Sequence, residues 1–352
     1  MSNSALIEMA AGLLQAEAGN ATRARSVELD VSIIIVSFNT RGLLRECLTA
    51  VQKESGALRS EILVVDNAST DGSAEMVERE FPIVELVCSD INLGFGRANN
   101  LALARARGRY FVLLNSDAFL ASGALTRAIA HMDANPNCAL GGGLLIGRDG
   151  AWQPSARSFH SVTGDAIVLT GLAAKFPGSR IFGGFDRTWA DARVSSPVDW
   201  VPGAFSIVRP SALRKTGFFD PAFFLYYEEV DLCLRLKHAG YTIWYWPDVV
   251  ITHVGGESSR QHKSLDFSST AAQVVLWRMR STLLYYRKHH GISARFVFWM
   301  ERSLYAFAML RNSFTSNSER IQRKLHFRAQ RALLLQAWKD TDGGRTSPPR
   351  PW

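Results

Sequence analysis

Val31-Ser32-Ile33-Ile34-Ile35-Val36 runs straight into Ser37-Phe38-Asn39-Thr40, and a second run, Glu61-Ile62-Leu63-Val64-Val65-Asp66, ends on Asn67-Ala68-Ser69-Thr70-Asp71-Gly72. Both runs are rich in β-branched residues and nearly free of charge, the pattern of parallel strands buried on both faces. Ligands of such sheets gather at the carboxyl ends of the strands, near the point where strand order reverses. That puts Ser37, Asn39, Asp66, Asn67 and Ser69 at the mouth of a pocket, with Asp66 able to accept the imide N–H of a uracil or thymine ring. Ser, Thr, Asn and Asp are also favoured helix caps, so either turn alone reads equally well as a cap. Taken with the motifs downstream, the two together point to a nucleotide site.

Working outward, strand-like runs recur at Val84–Cys88 and Tyr110–Leu114, with helical patterns at Arg41–Lys53, Ser73–Glu80 and Arg97–Arg107. Strand and helix alternating at this spacing imply βαβ units. A helix over Ala121–Asp133, a strand over Ala139–Ile146 containing a Gly triplet, a helix from about Glu229 to Ala239 and a strand over Tyr241–Trp246 continue the pattern. Residues 147–198 are rich in Gly, Ser, Arg and aromatics with weak periodicity, which reads as loops over a site. No internal repeat is seen.

Charge is unevenly placed. Residues 278–352 carry 15 Lys/Arg against 4 Asp/Glu, and the remainder carries 25 against 28, so the formal +8 belongs to the C-terminal segment. A nucleic-acid binder would place its basic and aromatic residues on the main domain, so no nucleic-acid partner is expected. Apolar and aromatic residues interleave with Arg over Trp277–Phe314, yet no uncharged stretch approaches the roughly 20 residues a membrane span requires. Basic amphipathic helices lying on an anionic membrane surface fit this composition, as does an ordinary helical pair packed on the main domain. The cysteines (Cys47, Cys88, Cys138, Cys233) lack metal-binding spacing, and with no signal-like segment in Ser2–Leu14 a reducing, cytoplasmic setting is expected. The expected division is an extension over 1–29 with a short amphipathic helix through Ala5–Leu14, a catalytic domain over 30–260, basic amphipathic helices over 261–339 and a disordered tail over 340–352.

Four further stretches carry chemistry. Asn115-Ser116-Asp117 follows a buried strand, where a carboxylate can bind a divalent cation bridging two phosphates. Asn92-Leu93-Gly94-Phe95-Gly96-Arg97-Ala98-Asn99-Asn100 is a Gly-rich turn whose backbone can approach a ligand, with Arg97 or Asn99 in reach. In Tyr226-Tyr227-Glu228-Glu229-Val230-Asp231, helical geometry puts Glu228, Asp231 and Arg235 on one face as an ion cluster. Glu229 is rotated away and free to point into the cleft, where the helix N-terminus favours the ionised form that deprotonates a sugar hydroxyl, but an acidic first turn taken alone reads more readily as a solvated helix start. His253 is a second candidate metal ligand, compatible with Mn²⁺.

In this order the pieces resemble family 2 inverting glycosyltransferases of the GT-A fold, a central, mostly parallel sheet flanked by helices, here with a C-terminal helical appendage. The resemblance runs from about Val31 to His253 and rests on IIIVSFN, VVDNASTDGS, NLGFGRANN, LLNSDA, WVPGAF and FFLYYEEVDLCLRLKHAGY. Within the family the chain looks like bacterial rhamnosyltransferases that act on lipid-linked acceptors in cell-surface polysaccharide synthesis. The resemblance implies donor contacts from Ser37, Asn39, Asp66, Asn67, Asn92, Gly94, Arg97, Asn99, Asn115 and Asp117. It also implies a Mg²⁺ or Mn²⁺ ion on Asp117 and His253, a base at Glu229, and acceptor contacts from Trp200, Gly203, Ala204 and Glu228. The implied partners are a dTDP- or UDP-linked sugar and a glycan or polyprenyl-diphosphate-linked acceptor, met peripherally at the inner face of the cell membrane. Two positions depart from the family pattern: Asn115 stands where the first Asp of Asp-x-Asp is expected, and the base is Glu rather than Asp, with Glu228 beside it. The absence of a Gln-x-x-Arg-Trp motif argues against a processive synthase. The competing readings are a nucleotidyltransferase, disfavoured because Ser37–Gly42 lacks a Gly-rich basic loop, and a non-catalytic sugar-nucleotide-binding scaffold.

Overall fold

The computed structural model describes residues 29–255, 269–313 and 317–348; the helix expected over Ala5–Leu14 lies outside them. One sheet organises the chain. Its strands are β1 (Val31–Ser37), β2 (Ser60–Asp66), β3 (Glu85–Cys88), β4 (Tyr110–Asn115), β5 (Ala118–Leu120), β6 (Cys138–Ile146), β7 (Trp152–Gln153), β8 (Ser196–Val198), β9 (Phe205–Val208) and β10 (Thr242–His253). The order is β3-β2-β1-β4-β9-β6-β10-β5, with β7 added to β6 and β8 to β10. The first four are parallel, as the alternating pattern predicts. The sheet is nevertheless mixed: β9 lies antiparallel to both β4 and β6. A four-residue antiparallel strand leaves no periodic trace long enough to read from sequence.

Burial on both faces explains the uninterrupted apolar runs. Ile34, Leu63, Val65 and Leu113 enter one core layer, and Ile33, Ile35, Val64 and Val112 the other, all but closed to solvent. The helices are α1 (Arg41–Ser55), α2 (Ser73–Glu80), α3 (Phe95–Leu103), α4 (Ala124–Ala134), α5 (Val162–Leu169), α6 (Leu172–Lys175), α7 (Pro210–Thr216), α8 (Glu228–His238), α9 (Ser269–His290), α10 (Ser293–Arg311) and α11 (Ser318–Asp340). The Gly triplet of β6 admits a large neighbour: a Cβ on Gly141 would sit 1.9 Å from the Trp246 ring.

Helices α9, α10 and α11 pack into a bundle with its own small core around Met279, Leu283, Phe298 and Leu334. Residues 341–348, whose Gly- and Pro-rich composition suggests disorder, instead close this bundle. Thr341 is fully buried, and Gly344 lies so near α9 that a Cβ there would meet the Leu283 carbonyl at 2.3 Å.

Candidate active site

The carboxyl ends of β1, β2, β4 and β10 converge on one cleft. Asp66 is buried there: its Oδ1 accepts the Ser69 N–H at 2.9 Å, while Oδ2 is closed off with no partner in the protein. An unmet buried acceptor is costly, and this oxygen has the chemistry to take an N–H from a ligand. Ser37 and Thr40 share a hydrogen bond at 2.9 Å, and Thr40 donates to Ser116 Oγ at 2.9 Å, fastening the β1 turn to the Asn115-Ser116-Asp117 turn. Asn39 ties the first two turns together, donating its N–H to Ser69 Oγ at 3.0 Å and accepting the Thr70 N–H at 2.8 Å.

Several expected donor contacts are occupied inside the protein. Asn67 donates to Asn92 Oδ1 at 2.9 Å and accepts the Leu93 N–H at 2.8 Å, and Asn92 also accepts the Gly94 N–H at 2.9 Å. These two side chains shape the Gly-rich turn from within. Asn99 is buried and donates to the Phe95 carbonyl at 2.9 Å within α3. Arg97 donates to the Pro221 carbonyl at 2.8 Å, and burial lowers its pKa. The close approach allowed by Gly94 is to protein: at φ 78° its Cβ would fall 2.1 Å from the Phe224 carbonyl oxygen, which accepts the Phe95 N–H at 2.9 Å. The turn therefore seats directly on the loop that leads into α8.

At the end of β10, His253 Nε2 stands 3.4 Å from Asp117 Oδ1. Gln153 donates its amide to the His253 carbonyl at 2.9 Å, which turns its Oε1 toward His253 Nδ1 at 2.8 Å. An amide oxygen can only accept, so Nδ1 carries the proton and a neutral ring leaves Nε2 bare. A lone pair and a carboxylate oxygen facing each other at this range repel unless a cation or a proton lies between them. The pair fits a divalent ion that draws its remaining ligands from phosphates and water. Among the described residues there is no cluster of three His, Cys, Asp or Glu that would hold an ion without them. Gln153, on the two-residue strand β7, carried no signal in the sequence.

Tyr226 and Tyr227, at φ 68° and 69°, deliver Glu228 and Glu229 into the first turn of α8. Two successive aromatic residues in the left-handed region cost on the order of 1–3 kcal/mol each, strain typical of functional sites. Glu228 does not join the expected ion cluster. It is 3 % exposed beside α3, and Oε2 of both Glu228 and Glu229 is buried without a partner. Burial, reinforced by the charge of Glu229, raises the pKa of Glu228 well above the usual carboxylate range. Burial also raises that of Glu229, opposed by its own and the Val230 backbone N–H and by the charge of Arg157. Two adjacent buried carboxyls resist double ionisation, and burial raises both, Glu228 the more strongly.

Around the acids, Trp200 is in the core, its indole N–H donated to the Ser158 carbonyl at 2.8 Å. As an acceptor contact it is withdrawn from the cleft by packing. Ala204 is buried and its carbonyl accepts the Asn115 N–H at 3.1 Å, while Gly203 faces the Phe95 ring. The segment read as loops instead contains β7, α5, α6 and β8 and supplies Arg157 and Gln153 to the site.

Residues 32–226 match the model of glycosyl transferase family 2, and the chain belongs to that family. It is 27 % identical over 243 residues to N-acetylglucosaminyl-diphospho-decaprenol L-rhamnosyltransferase of Mycobacterium tuberculosis, covering 65 % of this chain and 75 % of that one. It is 29 % identical over 215 residues to rhamnosyltransferase WbbL of Escherichia coli K12, covering 57 % and 73 %. The fold matches a mannosyltransferase from Pyrobaculum calidifontis, solved with GDP-mannose and Mn²⁺, at a TM-score of 0.53 and 15 % identity over 96 % and 97 % of the two chains. The protein is a glycosyltransferase; family and relatives leave no support for the nucleotidyltransferase and scaffold readings.

Proposed function

We propose that the protein transfers rhamnose from dTDP-rhamnose, with inversion, to a hydroxyl of a polyprenyl-diphosphate-linked glycan in cell-surface polysaccharide synthesis. The observation that carries the reaction class is the acid pair, whose Glu229 Oε2 is buried at a helix N-terminus with no protein partner. The rhamnosyl group is drawn from both relatives and the lipid-linked acceptor from the first.

Asp66 would take the base imide, while the turns fastened by Asn39, Asn67 and Asn92 hold the pocket in shape. Asp117 and His253 would hold a Mg²⁺ or Mn²⁺ ion, which when bound neutralises charge on the departing diphosphate. Glu229 accepts the proton of the acceptor hydroxyl as its oxygen attacks the anomeric carbon from the face opposite the nucleotide. Glu228, protonated, stays neutral and keeps a second negative charge away from the incoming acceptor.

The acceptor would be met at an anionic membrane surface on the inner face of the cell membrane. No helix among the described residues is long and apolar enough to cross a bilayer. Helix α10 instead exposes Phe296, Trp299, Phe307 and Leu310 on one face, each more than half accessible, with Arg302 stacked 4.4 Å over Trp299. Large apolar side chains edged by arginine suit the headgroup boundary. Thermal-shift titration of the full chain with dTDP-rhamnose, UDP-sugars and GDP-mannose, with and without Mn²⁺ or Mg²⁺, tests the donor. A metal-dependent shift confined to dTDP-rhamnose is expected; a shift for another nucleotide sugar alone overturns that choice.

A further inference from the structure

The first turn of α8 is gripped from outside the sheet domain. Asp231 is fully buried one turn into that helix. Its Oδ2 accepts from Arg235 Nε at 2.8 Å, and its Oδ1 accepts from Lys288 Nζ at 2.5 Å and from His289 Nε2 at 2.6 Å. Lys288 also reaches Asp220 at 2.6 Å, at the start of the loop that carries the two left-handed tyrosines. The same helix, α9, holds the middle of that loop: Ser281 donates to the Leu225 carbonyl at 2.8 Å, and the Trp277 ring lies 4.8 Å from that of Phe224. The acid pair thus sits on a strained segment anchored by α9 on both sides.

We infer that Lys288 and His289 are positioning residues of the transfer reaction, pinning Asp231 so that α8 presents Glu229 in the attacking geometry. The inference rests on the reading of Glu229 as the base. Two residues along a helix amount to about 200° of rotation, so the clamp on Asp231 lies on the far side of α8 from Glu229. Lys288 and His289 therefore act through the helix and touch no substrate. The hydrogen bond from His289, then the charges of Arg235 and Lys288, overcome the penalty of burial and hold the Asp231 carboxyl at about 2. Asp231 stays ionised across working pH and is still partnered when one of its three hydrogen-bond donors is removed. The C-terminal bundle is on this account part of the catalytic apparatus, beyond any role at the membrane.

The test is steady-state transfer by the full chain from dTDP-rhamnose to a synthetic lipid-diphosphate glycan, for Lys288→Met, His289→Phe, Lys288→Arg, His289→Gln and Glu229→Gln, each with its melting temperature. Displacement of a reacting group by about 1 Å costs on the order of 10²-fold in rate. Lys288→Met and His289→Phe should lose kcat on that scale, with donor KM within about twofold. Lys288→Arg and His289→Gln, which keep a donor on Asp231, should recover most of it. Should Lys288→Met fail to fold, the contrast between His289→Phe and His289→Gln decides the same question. The inference is overturned if Lys288→Met and His289→Phe, stably folded, turn over at the wild-type rate while Glu229→Gln is inactive. It is overturned equally if kcat falls only in step with melting temperature and the conservative variants do not restore it. Wild-type turnover by Glu229→Gln would instead show that the reading of the base has failed.

Discussion

His253 Nε2 stands 3.4 Å from Asp117 Oδ1, with the Gln153 amide oxygen 2.8 Å from the opposite ring nitrogen. On the proposed function the His253–Asp117 pair would hold the cation without the usual first Asp at Asn115. Asp117→Ala should abolish any metal-dependent thermal shift with donor bound. Gln153→Ala should weaken metal affinity about 10–100-fold, the range found for groups that orient a ligating histidine. Titrating Mn²⁺ against the donor-bound protein checks both, and an unchanged affinity in Gln153→Ala would show that the amide does not set the ring.

Asp66 offers a buried, unpartnered oxygen at the end of β2. A hydrogen bond to a charged group contributes about 1.5–3 kcal/mol. Asp66→Asn should therefore raise the donor Kd about 10–100-fold and leave turnover at saturating donor close to wild type. Equilibrium binding of dTDP and of dTDP-rhamnose measures it. Equal affinity for both proteins would remove Asp66 from the base pocket.

The raised pKa of Glu228 has a definite sign in stability. Unfolded, this carboxyl ionises in the ordinary range; folded, burial and then the charge of Glu229 keep it protonated to higher pH. Between the two values the folded state binds more protons, so its contribution to stability falls as pH rises through that window. Glu228→Gln should melt higher than wild type at pH 8, by about 2–4 °C for each kcal/mol relieved, and lose part of the decline between pH 6 and pH 8. Parallel melting curves for the two proteins across that interval would contradict the assignment.

Gly94 is constrained twice, by φ 78° and by the Phe224 carbonyl 2.1 Å from where its Cβ would lie. Gly94→Ala should cost about 2–5 kcal/mol, combining left-handed strain with overpacking. Gly150, at φ 76° with nothing within 4 Å of its Cβ position, isolates the strain alone, and Gly150→Ala should cost visibly less. Chemical denaturation of both variants measures the difference.

Much of this was legible in the sequence because the signals were local. VSIIIV and EILVVD announced buried parallel strands, and the polar residues at their ends marked the pocket. What stayed hidden depends on tertiary closure. Asn67 and Asn92 have the chemistry of ligand contacts, yet each amide is engaged by groups that only the folded turn brings near. Trp200, expected among the acceptor contacts, is core. Asp231 was expected in an ion cluster with Glu228 and Arg235; Arg235 bonds it and Glu228 does not, while its other partners Lys288 and His289 lie 57 and 58 residues away. No periodicity encodes such a contact.

The central claim is that Glu229 removes the acceptor proton, and Glu229→Gln tests it most directly. The amide keeps the shape and removes the base, a loss typically of about 10²–10⁴-fold. The full-length variant should bind dTDP-rhamnose and metal as the wild type does, while its rate of transfer to lipid-linked acceptor falls by at least about 10²-fold. Transfer at the wild-type rate with donor binding intact would contradict the account.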